Sequence, residues 1–404
     1  MRQSGMTAYF ISAGEPSGDL LAAELVQALQ ERCPSWEAFG IAGDKMLAAG
    51  VQALATIDQL SVMGFVEVIK HLPHLKRLES ELLAQIERRQ PKLAILVDYP
   101  GFHLRLAESL RLRGIKVIQY VAPQLWAWGE KRTERLKRVT DLVLGIMPFE
   151  EQFFRERNVN YQYVGTPQVD RVRRHHGRRV DFALEEGHIY IGFFPGSRWG
   201  EVTRILPKVK EIRQVLRQRH PEFAFTVSLA PGLSVEAFSC LLTESERELL
   251  TTDLQKNGVA QIGDTHFIRG KSLELMQVVD AALVTSGTAT LECALSQTPM
   301  AVAYVMSGLS YQIAKKLVKL PHISLVNLVA GYGLIKEFIQ DFAAEDLADD
   351  LARLASDPTA RQDMQQAFRG LFKVLQGDLA MHAAQAIQEF ITDEAEVYHP
   401  KLSL

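Results

Sequence analysis

The chain has 404 residues, of which 47% are hydrophobic and 23% charged, and this composition excludes the low-hydrophobicity, high-charge class of disordered chains. A chain of this length exceeds what one hydrophobic core usually organises, so we expect two lobes or one large α/β unit. The formal net charge of −3 argues against a global positive field that recruits nucleic acid, so cations must meet any bound anion locally.

Strand-length apolar runs recur through the first part of the chain, with amphipathic stretches of helical period between them. The runs cover residues 8–12, 93–97, 117–121, 142–146 and 161–164. This alternation is typical of a parallel sheet with helices on both faces. We therefore predict a doubly wound α/β domain over residues 1–169.

A polar, basic stretch at residues 170–186 interrupts the pattern, and we interpret it as a linker between domains. Further strand-length runs follow at residues 189–194, 225–229, 282–285 and 301–304. They predict a second α/β domain over residues 187–365. Helical periodicity alone remains after that, so helices are expected to close the chain over residues 366–404.

The cysteines and the apolar runs indicate the compartment. Cys33, Cys240 and Cys293 are far apart and lack C-x-x-C spacing, which argues against a disulfide framework and against a structural zinc site. A reducing cytosol fits this pattern. Because no apolar run approaches the roughly 18 residues that a bilayer span needs, we expect a soluble or peripheral protein.

Two turns of the first domain carry carboxylates where a strand is predicted to end, which is where such sheets bind ligands. Residues 12–19 follow the first predicted strand, and Asp98 follows the second. Glu15 has no obvious structural role in its turn, whereas Ser17 or Asp19 could simply cap the next helix. Asp98 is a candidate general base, because apolar neighbours raise a carboxyl pKa toward the working range. The alternative is that Asp98 caps the turn that follows it.

Two turns of the second domain carry groups suited to a diphosphate. Arg198 lies in a Pro-Gly-Ser-Arg turn after a predicted strand and offers a bidentate fork to phosphate oxygens. Ser286 and Thr288 lie in a small-residue turn at a helix start, with Glu292 one turn later as a candidate for ribose hydroxyls. The alternative is that Arg198 is an ordinary surface arginine. Ser286 or Thr288 would then cap the helix, and Glu292 would form a salt bridge on it. The sequence contains no D-x-D pair, which weakens a mechanism that bridges the diphosphate through a divalent cation.

Two segments of the first domain combine apolar residues with nearby basic charge. Residues 63–78 contain an apolar run followed by lysine and arginine, and residues 125–128 contain two tryptophans just before a basic stretch at 131–138. Such a combination suits an anionic membrane face. Packing in the core is the alternative for each side chain taken singly.

Motifs along nearly the whole chain resemble the lipid-A-disaccharide synthase family. They are SAGEPSGD at residues 12–19, MGFVEV at 63–68, YVAPQLWAW at 120–128, PGSR at 195–198, SGTATLE at 286–292 and SLVNL at 324–328. The order and the spacing of the motifs agree with the family. This resemblance is far more specific than any single turn.

The resemblance implies a GT-B glycosyltransferase fold, in which two Rossmann-like doubly wound domains face a central cleft and C-terminal helices cross back to the N-terminal domain. It implies an N-terminal domain that binds the acceptor and faces the membrane, and a C-terminal domain that binds a UDP-sugar. The family transfers 2,3-diacylglucosamine from UDP-2,3-diacylglucosamine to 2,3-diacylglucosamine 1-phosphate (lipid X). The products are the β-1,6-linked lipid A disaccharide 1-phosphate and UDP, formed with inversion and without a cofactor.

The same resemblance assigns site residues. In this interpretation Asp98 is the base that activates the acceptor, and Arg198 neutralises the departing phosphate in place of a metal. The full set comprises Asp98 and Glu15 as catalytic residues, and Gly14, Ser17, Arg198, Ser286, Gly287, Thr288, Glu292 and Asn327 as substrate contacts.

The resemblance also implies partners and a location. The expected partners are the two lipid substrates and the cytoplasmic membrane surface, with no nucleic acid, and a homodimer is left open. The expected location is the cytoplasm, peripheral on the inner face of the inner membrane of a Gram-negative-type bacterium. This chain departs from the family at Val305, where many members carry arginine, and at Trp199 and Gln124.

Two other classes of function remain open at this point. One is a different enzyme on the same fold, such as a UDP-sugar 2-epimerase, which needs acid and base carboxylates but no acylated acceptor. The other is a non-catalytic scaffold that binds a UDP-sugar, for which loss of Asp98 would have no effect. The apolar segment at residues 63–78 and the paired tryptophans argue mildly against the epimerase.

Overall fold

A computed structural model describes residues 8–60, 65–308, 311–312, 315 and 320–397. The chain divides into two compact units, with boundaries after Pro167 and after Gly377. Unit 1 contains the first part of the chain and the segment from Asp378 onward, and unit 2 contains residues 168–377.

Unit 1 is built on a parallel seven-stranded sheet. Its strands are β1 (Ala8–Ala13), β2 (Glu37–Ala42), β3 (Gln52–Thr56), β4 (Leu93–Val97), β5 (Lys116–Tyr120), β6 (Leu142–Gly145) and β7 (Tyr161–Tyr163). Their order across the sheet is β3-β2-β1-β4-β5-β6-β7. The order reverses direction between β1 and β4, which makes the gap between these strands a topological switch point.

Unit 2 repeats this plan with one antiparallel edge strand. Its strands are β8 (Ile189–Phe194), β9 (Phe223–Leu229), β10 (Val259–Ile262), β11 (Thr265–Arg269), β12 (Ala281–Thr285), β13 (Met300–Tyr304) and β14 (Glu337–Ile339). The order is β10-β11-β9-β8-β12-β13-β14, and only the β10–β11 pairing within this sheet is antiparallel. The switch point lies between β8 and β12.

Helices connect the strands in both units. They are α1 (Pro16–Arg32), α2 (Asp44–Ala48), α3 (Phe65–Arg89), α4 (Pro100–Arg111), α5 (Leu125–Trp128), α6 (Thr133–Val139), α7 (Glu150–Arg155), α8 (Pro167–Arg174), α9 (Trp199–Arg219), α10 (Glu244–Asn257), α11 (Ser272–Met276), α12 (Thr288–Leu295), α13 (Leu325–Ala330), α14 (Ala344–Ser356), α15 (Pro358–Val374) and α16 (Leu379–Val397). Short 3₁₀ helices cover Ile57–Gln59, Glu130–Arg132, Arg179–Phe182 and Val235–Leu241.

The central strand β4 explains why its sequence is an unbroken apolar run. Leu93, Ile95 and Val97 belong to one apolar cluster of unit 1, and Ala94 and Leu96 belong to the other. Successive side chains of a strand point to opposite faces, so a strand that helices cover on both faces must be apolar at every position. The same rule explains the strand-length apolar runs that the sequence shows in the first domain.

The chain returns to unit 1 through its last described helix. α16 packs against α1, and Leu379, Ala383 and Ile387 are buried in the same apolar cluster as α1. Arg32 Nε donates a hydrogen bond to Gln388 Oε1 at 3.0 Å. The preceding helix, α15, belongs to unit 2, so the crossing occurs at residues 377–378 and not at residue 366.

The segment predicted as a linker, residues 170–186, contains regular structure that belongs to unit 2. Val169 and Val172 of α8 are buried, and so is Phe182 of the 3₁₀ helix that follows. Arg179 forms an ion pair with Asp280 at 2.9 Å. The spacing of the two valines is the (i, i+3) spacing of a helix face, but the surrounding arginines obscured it in the sequence.

None of the helices in the described part of the chain is both long and apolar enough to cross a membrane.

Candidate active site

The predicted carboxylates of unit 1 flank the switch point of its sheet. Glu15 comes two residues after the end of β1, and Asp98 comes directly after β4. Glu15 occupies the N-cap position of α1, but its side chain makes no capping hydrogen bond and is exposed. Its charge raises the pKa of Asp98, so the two carboxyl groups interact electrostatically. The sequence pattern therefore brings both groups to the edge where such sheets bind ligands.

Asp98 has an environment suited to a base. Burial is the main cause that raises the pKa of its carboxyl, and a hydrogen bond from the Tyr99 N–H acts in the opposite direction. Both Asp98 and Tyr99 have a positive φ, at 52° and 49°. Left-handed backbone is unfavourable for residues with a Cβ, so the surrounding structure must impose it. A carboxyl in such a position can take a proton from a hydroxyl near neutral pH.

The remaining residues of the first turn have structural contacts. A Cβ at Gly14 would lie 2.3 Å from Cγ of Tyr99, so this glycine makes room for the Tyr99 ring. Ser17 is exposed in the first turn of α1. Asp19 does not cap α1, because its buried carboxylate accepts hydrogen bonds from the N–H groups of Gly43, Lys45 and Met46. Asp19 therefore stabilises the start of α2, which the sequence did not indicate.

The predicted phosphate-binding groups of unit 2 flank the other switch point. Arg198 follows β8 at the N-cap of α9, and Gly287 follows β12 at the N-cap of α12. Neither N-cap residue makes a side-chain capping hydrogen bond, and both Gly287 and Thr288 are exposed. Gly287 has a φ of 153°, in a region that only glycine adopts readily. Two uncapped helix starts beside one another provide N–H donors and positive dipole ends for an anion.

Arg198 is largely exposed at this edge. Its guanidinium forms an ion pair with Glu201 in the first turn of the same helix, at 2.9 Å. The side chain is 82% exposed, so this pair contributes little to stability. Breaking this ion pair therefore costs little.

Glu292 is buried beside a cation that the sequence analysis missed. Arg171 Nη1 of α8 lies 2.5 Å from Glu292 Oε1, although the contact lacks the geometry of a hydrogen bond. Burial raises the pKa of Glu292, while Arg171 and then His175 lower it. The interpretation of residues 170–186 as a linker hid both groups. Histidine and arginine recur just before the second domain, and this pattern was the signal from which the two groups could have been predicted.

Asn327 is engaged entirely within unit 2. Its amide donates to the carbonyl of Ile335 and to Glu337, both at 2.9 Å, and its carbonyl accepts from the Ile335 N–H at 2.9 Å. Ser286 Oγ donates to the carbonyl of Ile323 at 3.0 Å in the neighbouring loop. Asn327 and Ser286 therefore shape the loops after β12 and β13 with their side chains.

The departures from the family pattern have different surroundings. Val305 packs against the apolar core of unit 2. Trp199, next to Arg198, is 50% exposed, and Gln124 is exposed before α5. Of the segment at residues 63–78, residues 63 and 64 lie outside the described residues.

A buried carboxyl supports the aromatic segment of unit 1. Glu150 accepts hydrogen bonds from Trp126 Nε1 on one oxygen and from the Tyr161 hydroxyl on the other, each at 3.0 Å. Gly145 permits the approach of Tyr161, since a Cβ there would lie 1.8 Å from the hydroxyl oxygen. Burial raises the pKa of Glu150 to about 7, against the effect of these hydrogen bonds.

The pH dependence of stability should reveal this carboxyl. The folded protein binds a proton at Glu150 more tightly than the unfolded chain, so wild-type stability is lost as the pH rises from about 4.5 to about 7. Each pKa unit corresponds to about 1.4 kcal/mol. Between the two ends of this pH window, the free energy of unfolding of Glu150→Gln should therefore rise by roughly 3 kcal/mol relative to that of the wild type. Urea denaturation across the window measures the difference. Glu156→Gln, at an exposed position nearby, is the control. A difference for Glu150→Gln that does not vary with pH would contradict the assignment.

The fold and the two switch points define a class of protein. At 15% identity and a TM-score of 0.59, the chain is similar in structure to the glycotransferase of kitacinnamycin, over 95% of this chain and 98% of that one. It is also similar to a putative UDP-N-acetylglucosamine 2-epimerase from Listeria monocytogenes, at 13% identity and a TM-score of 0.60, over 97% of each chain. Two doubly wound units of this kind give the chain the GT-B fold. The predicted fold class is thereby confirmed.

Sequence comparison separates this chain from others with the same fold. A family model described as lipid-A-disaccharide synthetase matches residues 9–390. A lipid-A-disaccharide synthase of Geobacter sulfurreducens is 37% identical over 352 residues, which cover 86% of this chain and 88% of the relative. The chain belongs to the lipid-A-disaccharide synthetase family, which confirms the resemblance read from its motifs.

Proposed function

We propose that this enzyme transfers 2,3-diacylglucosamine from UDP-2,3-diacylglucosamine to lipid X, with release of UDP. The observation that carries the proposal is the placement of chemically matched groups at both switch points. Unit 1 has a partly buried carboxyl of raised pKa after β4, and unit 2 has an arginine and two uncapped helix starts after β8 and β12. Family membership supports the choice of substrates.

In the proposed reaction, the carboxylate of Asp98 accepts the proton of the acceptor hydroxyl as its oxygen attacks the anomeric carbon of the donor. The new C–O bond forms on the face opposite the diphosphate, and the bond from the anomeric carbon to the phosphate oxygen breaks. The electron pair leaves with UDP, and the anomeric configuration inverts. Burial is the main cause of the raised pKa of Asp98, and the charge of the exposed Glu15 adds to it, so we assign Glu15 a supporting catalytic role.

The leaving diphosphate gathers negative charge in the transition state. We assign its stabilisation to the Arg198 guanidinium and to the N–H groups of Gly287 and Thr288 at the start of α12. The N–H of Ser286 donates to the carbonyl of Ala303, so we assign Ser286 the role of holding the loop that carries these donors. These groups supply positive potential from the protein itself, as the lack of a D-x-D pair suggested.

The nucleotide needs further contacts, which the remaining assigned residues provide. Glu292, which Arg171 orients, is proposed to accept hydrogen bonds from ribose hydroxyls. Asn327 holds the loops of the nucleotide site through the contacts described above, so its proposed role is indirect. Gly14 and Ser17 belong to the acceptor side, with Gly14 acting through the Tyr99 ring.

We propose a peripheral location on the inner face of the cytoplasmic membrane, because both substrates carry acyl chains. The supporting features are the apolar and basic pattern of residues 65–78, which lie in α3, and the tryptophans of α5 beside the basic residues of α6.

One assay tests the function and the location together. The purified protein is incubated with both lipid substrates and a chelator, in detergent micelles, anionic vesicles or neutral vesicles, and the products are analysed by mass spectrometry. We expect the disaccharide 1-phosphate and UDP in equal amounts, with faster formation on anionic vesicles than on neutral ones. Epimerised donor without disaccharide would support the alternative enzyme. Binding of UDP-sugar without any product would support the scaffold.

A further inference from the structure

A fully buried cluster of polar side chains contacts the main chain of Asp98, and the proposed reaction does not account for it. The cluster consists of Ser12 at the end of β1, His103 in the first turns of α4 and Gln119 in β5, each of which is 0% exposed. β1, β4 and β5 are neighbours in the sheet, so the cluster spans the switch point where Asp98 lies. We call these three residues the clamp.

The main chain held by the clamp is strained at several points. Asp98, Tyr99 and Val121 have φ values of 52°, 49° and 70°. A positive φ is uncommon for residues with a side chain, and for a β-branched residue such as Val121 it is a clear outlier. These residues end β4 and β5, so the strain is concentrated at one edge of the sheet. Such strain persists only where the surrounding contacts over-determine the conformation.

Gln119 connects the two strained strand ends. Its Nε2 donates hydrogen bonds to the carbonyl oxygens of Asp98 and Val121, each at 3.2 Å. Both hydrogens of the amide are therefore used on the main chain of the strained residues. The backbone also contributes, because the N–H of Asp98 donates to the carbonyl of Tyr120 at 2.8 Å.

The tautomer of His103 follows from its partners. Its Nδ1 lies 2.7 Å from the carbonyl oxygen of Asp98, which only accepts hydrogen bonds, so Nδ1 carries the proton. Burial lowers the pKa of His103 to about 4, so the ring is neutral at physiological pH. Its Nε2 then has a free lone pair and accepts from the Ser12 hydroxyl at 2.9 Å. The hydrogen bond from Ser12 therefore stabilises the tautomer in which Nδ1 of His103 donates to the carbonyl of Asp98.

The clamp contacts the main chain of Asp98 and leaves its carboxylate to other partners. We infer that Ser12, His103 and Gln119 are positioning residues, which hold Asp98 in its left-handed conformation and so aim its carboxylate at the acceptor hydroxyl. The inference deepens the proposed function and rests on it for the role of Asp98. A displacement of about 1 Å at a reacting group can cost about 100-fold in rate, so such positioning has a measurable effect.

Substitutions at His103 give the sharpest test, because two conservative variants replace different nitrogens. The amide nitrogen of asparagine reaches close to the position of Nδ1, whereas that of glutamine reaches close to Nε2. His103→Asn should therefore keep the donor to Asp98, and His103→Gln and His103→Ala should lose it. Thr140→Val is the matched control, since it removes a buried hydrogen bond of unit 1 to the Leu136 carbonyl, away from Asp98.

We expect kcat to fall about 100-fold in His103→Ala and His103→Gln, with the dissociation constant of UDP unchanged within about two-fold, and to recover in His103→Asn. Hydrogen exchange of the peptide covering residues 97–103 should rise in the same two variants and stay at the wild-type level in His103→Asn and Thr140→Val. Unchanged exchange in His103→Ala would overturn the clamp, whatever the activity. Raised exchange with unchanged kcat would overturn its positioning role.

The two readouts separate the clamp from the proposed function. Failure of the wild-type protein to form any disaccharide would refute the function, while the exchange data would still decide whether the clamp holds the backbone of residues 97–103. Gln119→Leu, which removes both hydrogen bonds that the Gln119 amide donates, should raise exchange in the same peptide. A normal exchange rate in that variant would remove Gln119 from the clamp.

Discussion

Asp98→Asn should lower kcat by about 10³-fold and leave the dissociation constant of UDP within a few-fold of the wild-type value. Asparagine keeps the size of the side chain but cannot accept the proton of the acceptor hydroxyl. The nucleotide groups are in unit 2, so their affinity should not depend on this carboxyl. Steady-state kinetics with both lipid substrates and calorimetry with UDP measure the two quantities.

The pH profile gives a second expectation for Asp98. Burial raises the pKa of its carboxyl, and the reaction needs the ionised form. Wild-type kcat/KM should therefore fall as the pH drops through a pKa above the ordinary range of aspartate. Asp58→Asn, which makes the same change of charge at an exposed position of unit 1, should keep both the rate and this profile. Near-wild-type turnover in Asp98→Asn would remove Asp98 from the mechanism.

Arg198→Ala should weaken UDP binding and lower kcat by about 10²- to 10³-fold, the usual effect of removing one donor from a site of developing negative charge. The structure explains why the protein should remain folded: the side chain is 82% exposed, and its ion pair with Glu201, in the first turn of the same helix, contributes little to stability. A loss of activity with unchanged thermal stability would therefore show that Arg198 acts in the reaction and not in folding. Kinetics, UDP calorimetry and a melting curve are the measurements.

The far end of the same helix provides a control for Arg198. Arg219 is the last residue of α9 and pairs with Asp349 at the surface of unit 2. Arg219→Ala removes the same charge from the same helix, about 30 Å away along its axis. It should leave both UDP affinity and turnover unchanged. Equal effects of the two substitutions would show that Arg198 acts through overall charge and not through contact with the phosphate.

The residues that sequence reasoning located best are those at strand ends. Asp98 and Arg198 could be singled out because an apolar run shows where a strand ends, and the end of a strand in a doubly wound sheet is where ligands bind. Such runs do not reveal the order of the strands across each sheet, which places β1 beside β4 and β8 beside β12. The sequence therefore indicated the edges but not which turns lie side by side.

Residues whose partners are distant in sequence were harder to interpret. Asp19 looked like a cap for its own helix, but its three partners are 24 to 27 residues away at the start of α2. Asn327 resembled a ligand contact, yet its amide is consumed by Ile335 and Glu337. In both cases a short polar side chain in a turn can form several alternative hydrogen bonds with nearby backbone, and only the tertiary structure decides which partners it takes.

The basic segment before unit 2 shows how composition can mislead. Its arginines suggested a solvated linker, but Val172 anchors a helix and Arg171 contacts the buried Glu292. The clamp was not indicated by any local pattern, because Ser12, His103 and Gln119 lie on β1, α4 and β5 and come together only in the tertiary structure. Positioning residues of this kind depend on tertiary geometry and are therefore difficult to predict from one sequence.

The stereochemistry of the product tests the central claim most directly. The wild-type enzyme is incubated with UDP-2,3-diacylglucosamine, lipid X and a chelator, and NMR follows the configuration of the anomeric carbon from donor to product. A base on the acceptor side and an assisted leaving group on the other predict a single β-linked disaccharide that accumulates in step with UDP. An α-linked product, or UDP release without a glycosidic bond to lipid X, would contradict this account.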